Sequence, residues 1–290
     1  MSEKLVKQFT TDDVAEYYDK TEIHYKRAWD LEASMALHYG FWRKDTKSFR
    51  ESLQHMNDEM AKTAKITSDD YMLDAGCGVG GSSIFVAKHI GARAKGITLS
   101  QQQVERAYQN AEKHQVSSLL EFECKDYTNT GFADNTFDVV WGLESVATAQ
   151  QKEAFAKEAF RILKPGGRLI IGDCFQRKAE LTVKEHKLMQ KWLNAWAISG
   201  LETEKEFTNI LSQQGFQSIN FRNITENVRH SAWRIFYGSF FMTVLSGLYR
   251  LYNPKVSYFA DNHYKALFYQ YIALRKNLWD YCIVYAEKKS

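Results

Sequence analysis

Residues 72–80 read Met-Leu-Asp-Ala-Gly-Cys-Gly-Val-Gly, and this run decides how the whole chain is read. Asp70–Asp74 has the apolar character of a buried strand and ends on an acid. Gly76, Gly78 and Gly80 follow as a tight turn, and Ser82–Lys88 carries the apolar spacing of a helix. Glycines at alternate positions let a backbone approach a ligand closely and reach φ values that a Cβ disfavours. A strand, a glycine turn and a helix N-terminus together present N–H groups and the positive end of a helix dipole to a ligand. The spacing G-x-G-x-G differs from the dinucleotide fingerprint, whose third glycine comes later. It describes a nucleoside pocket with no clear pyrophosphate site.

Outward from this run the chain alternates between strand and helix patterns. Ala94–Ile97 and Leu119–Cys124 read as strands 2 and 3, with Phe137–Trp141, Arg168–Asp173 and Ser218–Arg222 as strands 4 to 6 and Trp279–Ala286 as a final strand. Helical periodicity is clearest over Gln101–His114 and Gln151–Leu163. The pattern predicts an α/β fold with a mainly parallel sheet and helices on both faces. In residues 11–62 apolar positions recur at helical spacing, through Val14, Tyr17, Tyr18, Trp29, Met35 and Ala36. The expected organisation is a helical N-terminal cap over 1–62, a core over 63–222, a helical, aromatic-rich insertion over 223–278 and a last core strand over 279–290. A compact domain rarely spends so many residues on one connection, which makes the insertion a substrate lid.

At 290 residues, 44% hydrophobic and 25% charged, the chain has the composition of an ordinary soluble globular protein able to bury a large core. A net charge of +3 gives no case for nucleic acid. Cysteines 77, 124, 174 and 282 show no metal-ligand spacing, and with no secretory signal at Met1–Leu5 they read as free thiols in a reducing, cytoplasmic setting. The apolar run Ile235–Leu251 is short for a bilayer span and is interrupted by Arg250. A peripheral membrane contact stays open for it, and oligomeric state is not legible.

Several segments in order resemble the Rossmann-like S-adenosylmethionine (SAM) methyltransferases. Leu73-Asp74-Ala75-Gly76-Cys77-Gly78-Val79-Gly80-Gly81 is similar to their first motif. Gly96-Ile97-Thr98-Leu99-Ser100 with Gln101 and Gln103 is similar to the end of strand 2 in the sterol, tocopherol, cyclopropane-fatty-acid and phosphoethanolamine types. Lys125-Asp126-Tyr127, Phe137-Asp138-Val139-Val140 and Leu163-Lys164-Pro165-Gly166-Gly167-Arg168-Leu169 continue the match over residues 66–175. The resemblance implies seven strands with the last antiparallel, and SAM as cofactor with S-adenosylhomocysteine as product. Matching positions imply cofactor contacts from Asp74, Gly76, Cys77, Gly78, Gly80, Thr98, Leu99, Ser100, Gln103, Asp126, Tyr127 and Trp141. Thr98 stands where many relatives carry an acid for the ribose hydroxyls, which narrows the subgroup. Gln103 is either a second ribose contact or a solvent-facing side chain.

Tyr17-Tyr18-Asp19, Tyr25 and Leu37-His38-Tyr39-Gly40-Phe41-Trp42 resemble the cap of lipid and small-molecule methyltransferases. That implies Tyr18 and Tyr25 facing the cofactor, with His38 and Trp42 near the acceptor. Glu144, in Trp-Gly-Leu-Glu-Ser, is the first candidate for a catalytic carboxylate; its other reading is a cap on the following helix. His38 is the second candidate, as a base, a substrate hydrogen-bonding group or a core histidine. Many relatives place a histidine four residues beyond the glutamate, and this chain has Thr148. Trp233, Phe236, Tyr237 and Phe268 head a dense aromatic set in the insertion, suited to an apolar pocket, a cation cradle or the insertion's own core. Arg229, His230 and Arg234 suit either an acidic group or a solvated helix face.

The expected activity is methyl transfer to carbon or oxygen of a small hydrophobic, isoprenoid-like acceptor of the terpenoid, sterol or quinol class. Alternatives are an N-methyltransferase of a small amine and a non-catalytic SAM-binding subunit. No metal-ligand cluster is visible, and Mg²⁺ enters only if the acceptor carries a diphosphate.

Overall fold

The computed structural model describes residues 9–10, 34–36, 38–252 and 258–289, with the side chains of 239–264 outside that description. Seven strands form one sheet: β1 (Tyr71–Ala75), β2 (Arg93–Thr98), β3 (Leu120–Cys124), β4 (Phe137–Leu143), β5 (Leu163–Gln176), β6 (Phe216–Asn223) and β7 (Trp279–Lys288). Their order across the sheet is β3-β2-β1-β4-β5-β7-β6. The strands β1 to β5 pair in parallel, and β7 runs antiparallel between β5 and β6. Eight helices are described: α1 (Phe49–Thr63), α2 (Gly81–His89), α3 (Gln101–Lys113), α4 (Lys152–Ile162), α5 (Val183–Leu193), α6 (Glu204–Gln214), α7 (Thr225–Tyr252) and α8 (Tyr258–Arg275). The α/β class, the seven-stranded sheet, the antiparallel last strand and the helical insertion before it are as the sequence led one to expect.

The strands divide their side chains between two cores by simple alternation. Met72, Trp141 and Ile170 enter one apolar cluster, and their neighbours Leu73, Val140 and Ile171 enter the other. Both faces are therefore covered, and the central strands read as nearly unbroken apolar runs. Helix α1 presents Met56, Met60 and Ala61 to the first cluster, and α4 presents Phe155, Ala159 and Ile162 to the second. Helix starts carry local signals. Ser48 caps α1, and Thr182 with Glu185 and Thr203 with Glu206 form capping boxes on α5 and α6.

Strand β5 is longer than its expected Arg168–Asp173. Its parallel partner β4 stops at the pair Leu143↔Gly172, but β7 continues to pair with it as far as Gln176↔Trp279. A long antiparallel neighbour thus carries the ladder past the point where apolar patterning fades. The extension sets Tyr281 of β7 opposite Cys174, beside the end of β4.

Ile170 is fully buried on β5, between β4 and β7. Ile170→Ala should lower unfolding free energy by about 2–5 kcal/mol through a cavity that the flanking strands cannot collapse. The midpoint of urea unfolding measures it, and a loss under about 1 kcal/mol would mean that the core relaxes around the gap.

Candidate functional site

The carboxyl ends of β1, β2 and β4 open into one cleft enclosing about 790 Å³ of space, its mouth included. Ten of the expected site residues line it: His38, Asp74, Gly76, Cys77, Gly78, Thr98, Leu99, Gln103, Tyr127 and Glu144. Met35 and Ser82 join them, as do Lys125 and Thr148.

The glycine turn is fixed by close approach. Gly76 has φ +93°, and a Cβ there would lie 2.4 Å from the Cβ of Ser145. Ser145 in turn donates its hydroxyl to the Ala75 carbonyl at 2.5 Å, so the turn after β1 and the turn after β4 are pressed together. Gly76 and Cys77 both donate their N–H to the Ile97 carbonyl at 2.9 Å, joining the turn to β2. Gly78 also has positive φ, +53°. Gly81 meets a second constraint: a Cβ there would stand 2.0 Å from the Met35 carbonyl, so the residues before α1 rest directly on the start of α2.

Around this cradle the polar groups are mutually held. Ser83 donates to Asp74 Oδ2 at 2.7 Å, and burial, the larger influence, raises the Asp74 carboxyl to about 6. Thr98 donates its hydroxyl to Gln103 Oε1 at 2.5 Å, while Ser100 caps α3 by accepting the Gln103 N–H at 3.3 Å. With its amide oxygen taken, Gln103 has its NH₂ to offer the cleft.

On the opposite wall stands Glu144, in a left-handed conformation with φ +50°. Its Oε1 accepts the Tyr39 N–H at 2.5 Å and the Tyr281 hydroxyl at 2.8 Å. Burial pushes its carboxyl up to about 8, with the charge of Asp173 adding to the rise and the two donors opposing it. Next to it, His38 Nδ1 lies 2.9 Å from the Tyr39 carbonyl. A carbonyl only accepts, so Nδ1 carries the proton and Nε2 is the bare nitrogen. Burial brings the His38 pKa down to about 4, which keeps the ring neutral at physiological pH.

The loop that carries Glu144 is clamped from below. Asp173 accepts the Ala147 N–H at 2.8 Å, and buried Lys152 donates to the carbonyls of Ala147 and Ala149 at 2.8 and 2.5 Å. Tyr127 donates its hydroxyl to the Ser145 carbonyl at 2.8 Å.

Other expected residues lie elsewhere. Tyr18 and Tyr25 fall outside the described residues. Gly80 caps α2 with φ +85°, and a Cβ on it would meet Phe122 and Ala107, so its role is packing. Ser100 serves as the α3 cap. Asp126 sits half-buried between two lining residues and accepts from the N–H and hydroxyl of Thr128, both at 2.7 Å and both on Oδ1. Trp141 alternates away from the cleft into the first core cluster, where it is fully buried. Trp42 donates to the Ser231 hydroxyl at 2.8 Å and stacks on His230 at 4.0 Å, against α7. Arg229 pairs with Glu226 at 2.7 Å, and Arg234 lies over the Phe49 ring at 5.0 Å, so these bases are engaged with neighbours. Among the described residues no three His, Cys, Asp or Glu side chains are grouped to hold a metal, and no helix is long and apolar enough to cross a membrane. The residues that sequence reasoning missed are Tyr281, Ser83 and Lys152. Only Tyr281 had a visible signal, as an inward position in the alternation of the final strand.

The chain matches the model of a methyltransferase domain over residues 73–171. It is 32% identical over 228 residues to norajmaline N-methyltransferase of Rauvolfia serpentina, covering 74% of this chain and 77% of that one. It is 28% identical over 232 residues to the chloroplastic tocopherol O-methyltransferase of Arabidopsis thaliana, covering 74% of this chain and 66% of that one, so the match leaves a third of that relative's length unspanned. In three dimensions it is similar to geranyl diphosphate C-methyltransferase from Streptomyces coelicolor A3(2), a structure holding Mg²⁺, geranyl diphosphate and S-adenosyl-L-homocysteine. The TM-score is 0.73 at 16% identity over 96% of this chain and 97% of that one, a likeness of fold.

Glu144 supplies a stability test. Its folded pKa of about 8 exceeds the ordinary 4.5, so the folded state keeps a proton that the unfolded state has released. That contribution is full below about pH 4.5 and is lost as pH rises through about 8. Glu144→Gln has no such loss. Its melting temperature should therefore gain on wild type by on the order of 5 °C between the two ends of that window. A difference constant with pH would place Glu144 in the ordinary carboxylate range.

Proposed function

Since the chain belongs to the family of SAM-dependent methyltransferases, we propose that it methylates carbon or oxygen of a small hydrophobic, isoprenoid-like acceptor of the terpenoid, sterol or quinol class. The observation that carries this reading is Glu144, a half-buried carboxyl with a raised pKa. It faces the same cleft as the glycine turn and is held by donors from the segment before α1 and from the last strand.

The residues present fit the cofactor. Gly76, Cys77 and Gly78 give the cleft a floor of backbone, Asp74 offers a carboxyl fixed by Ser83, and Gln103 offers its NH₂ beside Thr98 and Leu99. Gly78, Cys77 and Tyr127 complete the lining, and Asp126 would add its free Oδ2 from the cleft's edge. When bound, SAM supplies a methyl group on a sulfonium already activated for transfer. The protein's part is therefore alignment and proton removal. Glu144 in its ionised form would take the proton of an acceptor hydroxyl, or of a carbon activated by one, and bare Nε2 of His38 would accept a hydrogen bond from the same group. A cation nearby favours the ionised carboxylate, so Glu144 becomes a working base when the cleft is loaded. Helices α7 and α8 would close the acceptor side as a lid. Mg²⁺ would belong to the acceptor if that carries a diphosphate.

A second reading has its own support: the relative with 32% identity is named an N-methyltransferase. Labelled SAM offered with pooled prenyl diphosphates, sterols, quinols or apolar amines separates the two. Label in the first three pools supports the proposal, and label in the amine pool alone replaces it with N-methylation. Glu144→Gln should lower turnover by about 10²-fold or more, with SAM affinity held within about threefold. Undiminished turnover would remove Glu144 from the chemistry.

Tyr281→Phe takes a donor from Glu144 that favours its ionised form. The rising limb of the kcat/KM profile should then move to higher pH, by about half a unit or more. A profile that falls in height without moving would show Tyr281 as packing alone.

A further inference from the structure

Of the five large apolar side chains that stand exposed among the described residues, three share one patch on the insertion. Trp233 and Tyr237 of α7 are 47% and 56% exposed, and Phe268 of α8 is 39% exposed. The Trp233 and Tyr237 rings are 4.7 Å apart, Tyr237 and Phe236 5.2 Å, and Phe236 stacks on Phe268 at 5.2 Å. One continuous aromatic surface therefore crosses from α7 to α8. The helices hold it outward: Val228, Ala232 and Ile235 turn the other side of α7 into the core, and Ala266, Leu267 and Leu274 do the same for α8. A contiguous apolar patch of this kind marks an interaction surface.

Charge and length narrow what fits it. Between residues 223 and 278 seven lysines and arginines stand against two acids, Glu226 and Asp261. The chain nets only +3, so the rest of it is slightly acidic and the basic excess belongs to the insertion. Arg275 and Lys276 are exposed at the end of α8, and Arg229, four residues before Trp233, is exposed on α7 even while paired with exposed Glu226. From Ile235 to Tyr249, α7 runs without a charged residue. That is about 22 Å of helix against the roughly 30 Å of a bilayer core. No helix among the described residues is long and apolar enough to cross a membrane. Such a segment rests in the interfacial layer. Tryptophan and tyrosine favour that layer, with the ring in the acyl boundary and the polar atom in water, and bases beside them favour anionic headgroups. An acidic protein would match the bases and leave an uncharged run of this length without a counterpart.

We propose that the paired helices α7 and α8 dock on an anionic lipid surface. Trp233, Tyr237 and Phe268 enter the boundary between headgroups and acyl chains, and Arg275 and Lys276 meet the lipid phosphates. Each ring removes apolar area from water, and each base adds an attraction that salt screens, so the docking is reversible and depends on ionic strength. It needs neither SAM nor an acceptor. An apolar acceptor partitions into the same lipid layer, so under the methyl-transfer reading these helices meet the substrate where it resides.

The test is sedimentation of the full chain with vesicles of phosphatidylcholine alone, and of phosphatidylcholine and phosphatidylglycerol in equal parts. Wild type should bind the anionic vesicles about tenfold or more tighter than the neutral ones, and that margin should shrink as salt is raised. Trp233→Ser with Tyr237→Ser should weaken anionic binding about tenfold or more. Both rings are exposed, so the melting temperature should stay within a few degrees of wild type. Arg275→Gln with Lys276→Gln disturbs no apolar packing and should weaken it about fivefold or more. Lys113→Gln with Lys157→Gln, exposed on α3 and α4, should change it less than about twofold. No binding by wild type, equal binding to both vesicles, or binding untouched by both patch variants overturns the proposal. So does a dimer in light scattering that Trp233→Ser with Tyr237→Ser turns into a monomer, because a second copy then covers the patch. No acceptor or turnover enters these measurements, so their failure leaves the methyl-transfer reading standing, and failure of acceptor labelling leaves lipid docking standing.

Discussion

A carboxylic acid that takes two hydrogen bonds on one oxygen while largely shielded from water constrains everything packed around it. Glu144 is that acid, and its two donors come from opposite ends of the chain: the N–H of Tyr39, just before α1, and the hydroxyl of Tyr281, on the last strand. For both to reach one oxygen, β7 must lie beside β5 in its long antiparallel register, and the segment around residues 38–41 must lie over the end of β4. Close contacts elsewhere enforce the second condition. Gly40 leaves room for Ser52 of α1, and Gly81 leaves room for the Met35 carbonyl, each at distances no Cβ would tolerate. The left-handed backbone at Glu144 is the local strain that remains, held by the Asp173 and Lys152 clamp on the loop after it.

Most of the sheet and the glycine-turn side of the cleft were legible in the sequence for a physical reason. Backbone demands there are local: a strand that stops at Asp74, glycines that must reach positive φ at residues 76 and 78, a serine that must cap α3 at residue 100. Such needs leave residue-type signatures at short spacing. The failures are of another kind. Trp141 is adjacent to the right residues in sequence but points to the wrong side of β4, and the period of two decides that against it. Tyr281 lies 137 residues from Glu144, and its place is decided by the β5–β7 register, which no local pattern encodes. The Glu144 side of the cleft is therefore harder to read than the glycine-turn side because it is assembled from parts distant in the chain.

Thr98 and Gln103 place a hydrogen-bonded neutral pair at the end of β2. A carboxylate at the end of β2 would accept from two hydroxyls. Here Thr98 spends its proton on the Gln103 oxygen, so the pair presents an amide NH₂ to the cleft. The polarity of that contact is reversed, and a hydroxyl meeting it would accept. The exchange also removes one buried charge from a region that already holds several.

The carboxyls that remain buried there make the cleft suited to a positively charged ligand. Asp74, Asp173 and Glu144 are all shifted upward by burial, to about 6, 6 and 8. The buried lysine nearest them, Lys152, has its ammonium aimed at backbone carbonyls, and burial lowers its own pKa. Burial thus disfavours the ionised form of each, most strongly at Glu144. A cation entering the cleft shifts that balance, because each carboxylate it stabilises is one that burial had disfavoured. The same burial that costs the free protein stability thus becomes differential affinity for charge. When the charge is gone, Glu144 again favours its protonated form. A cation beside Glu144 would favour its ionised form and loss of the cation its protonated form, so occupancy of the cleft and protonation of this carboxyl are linked.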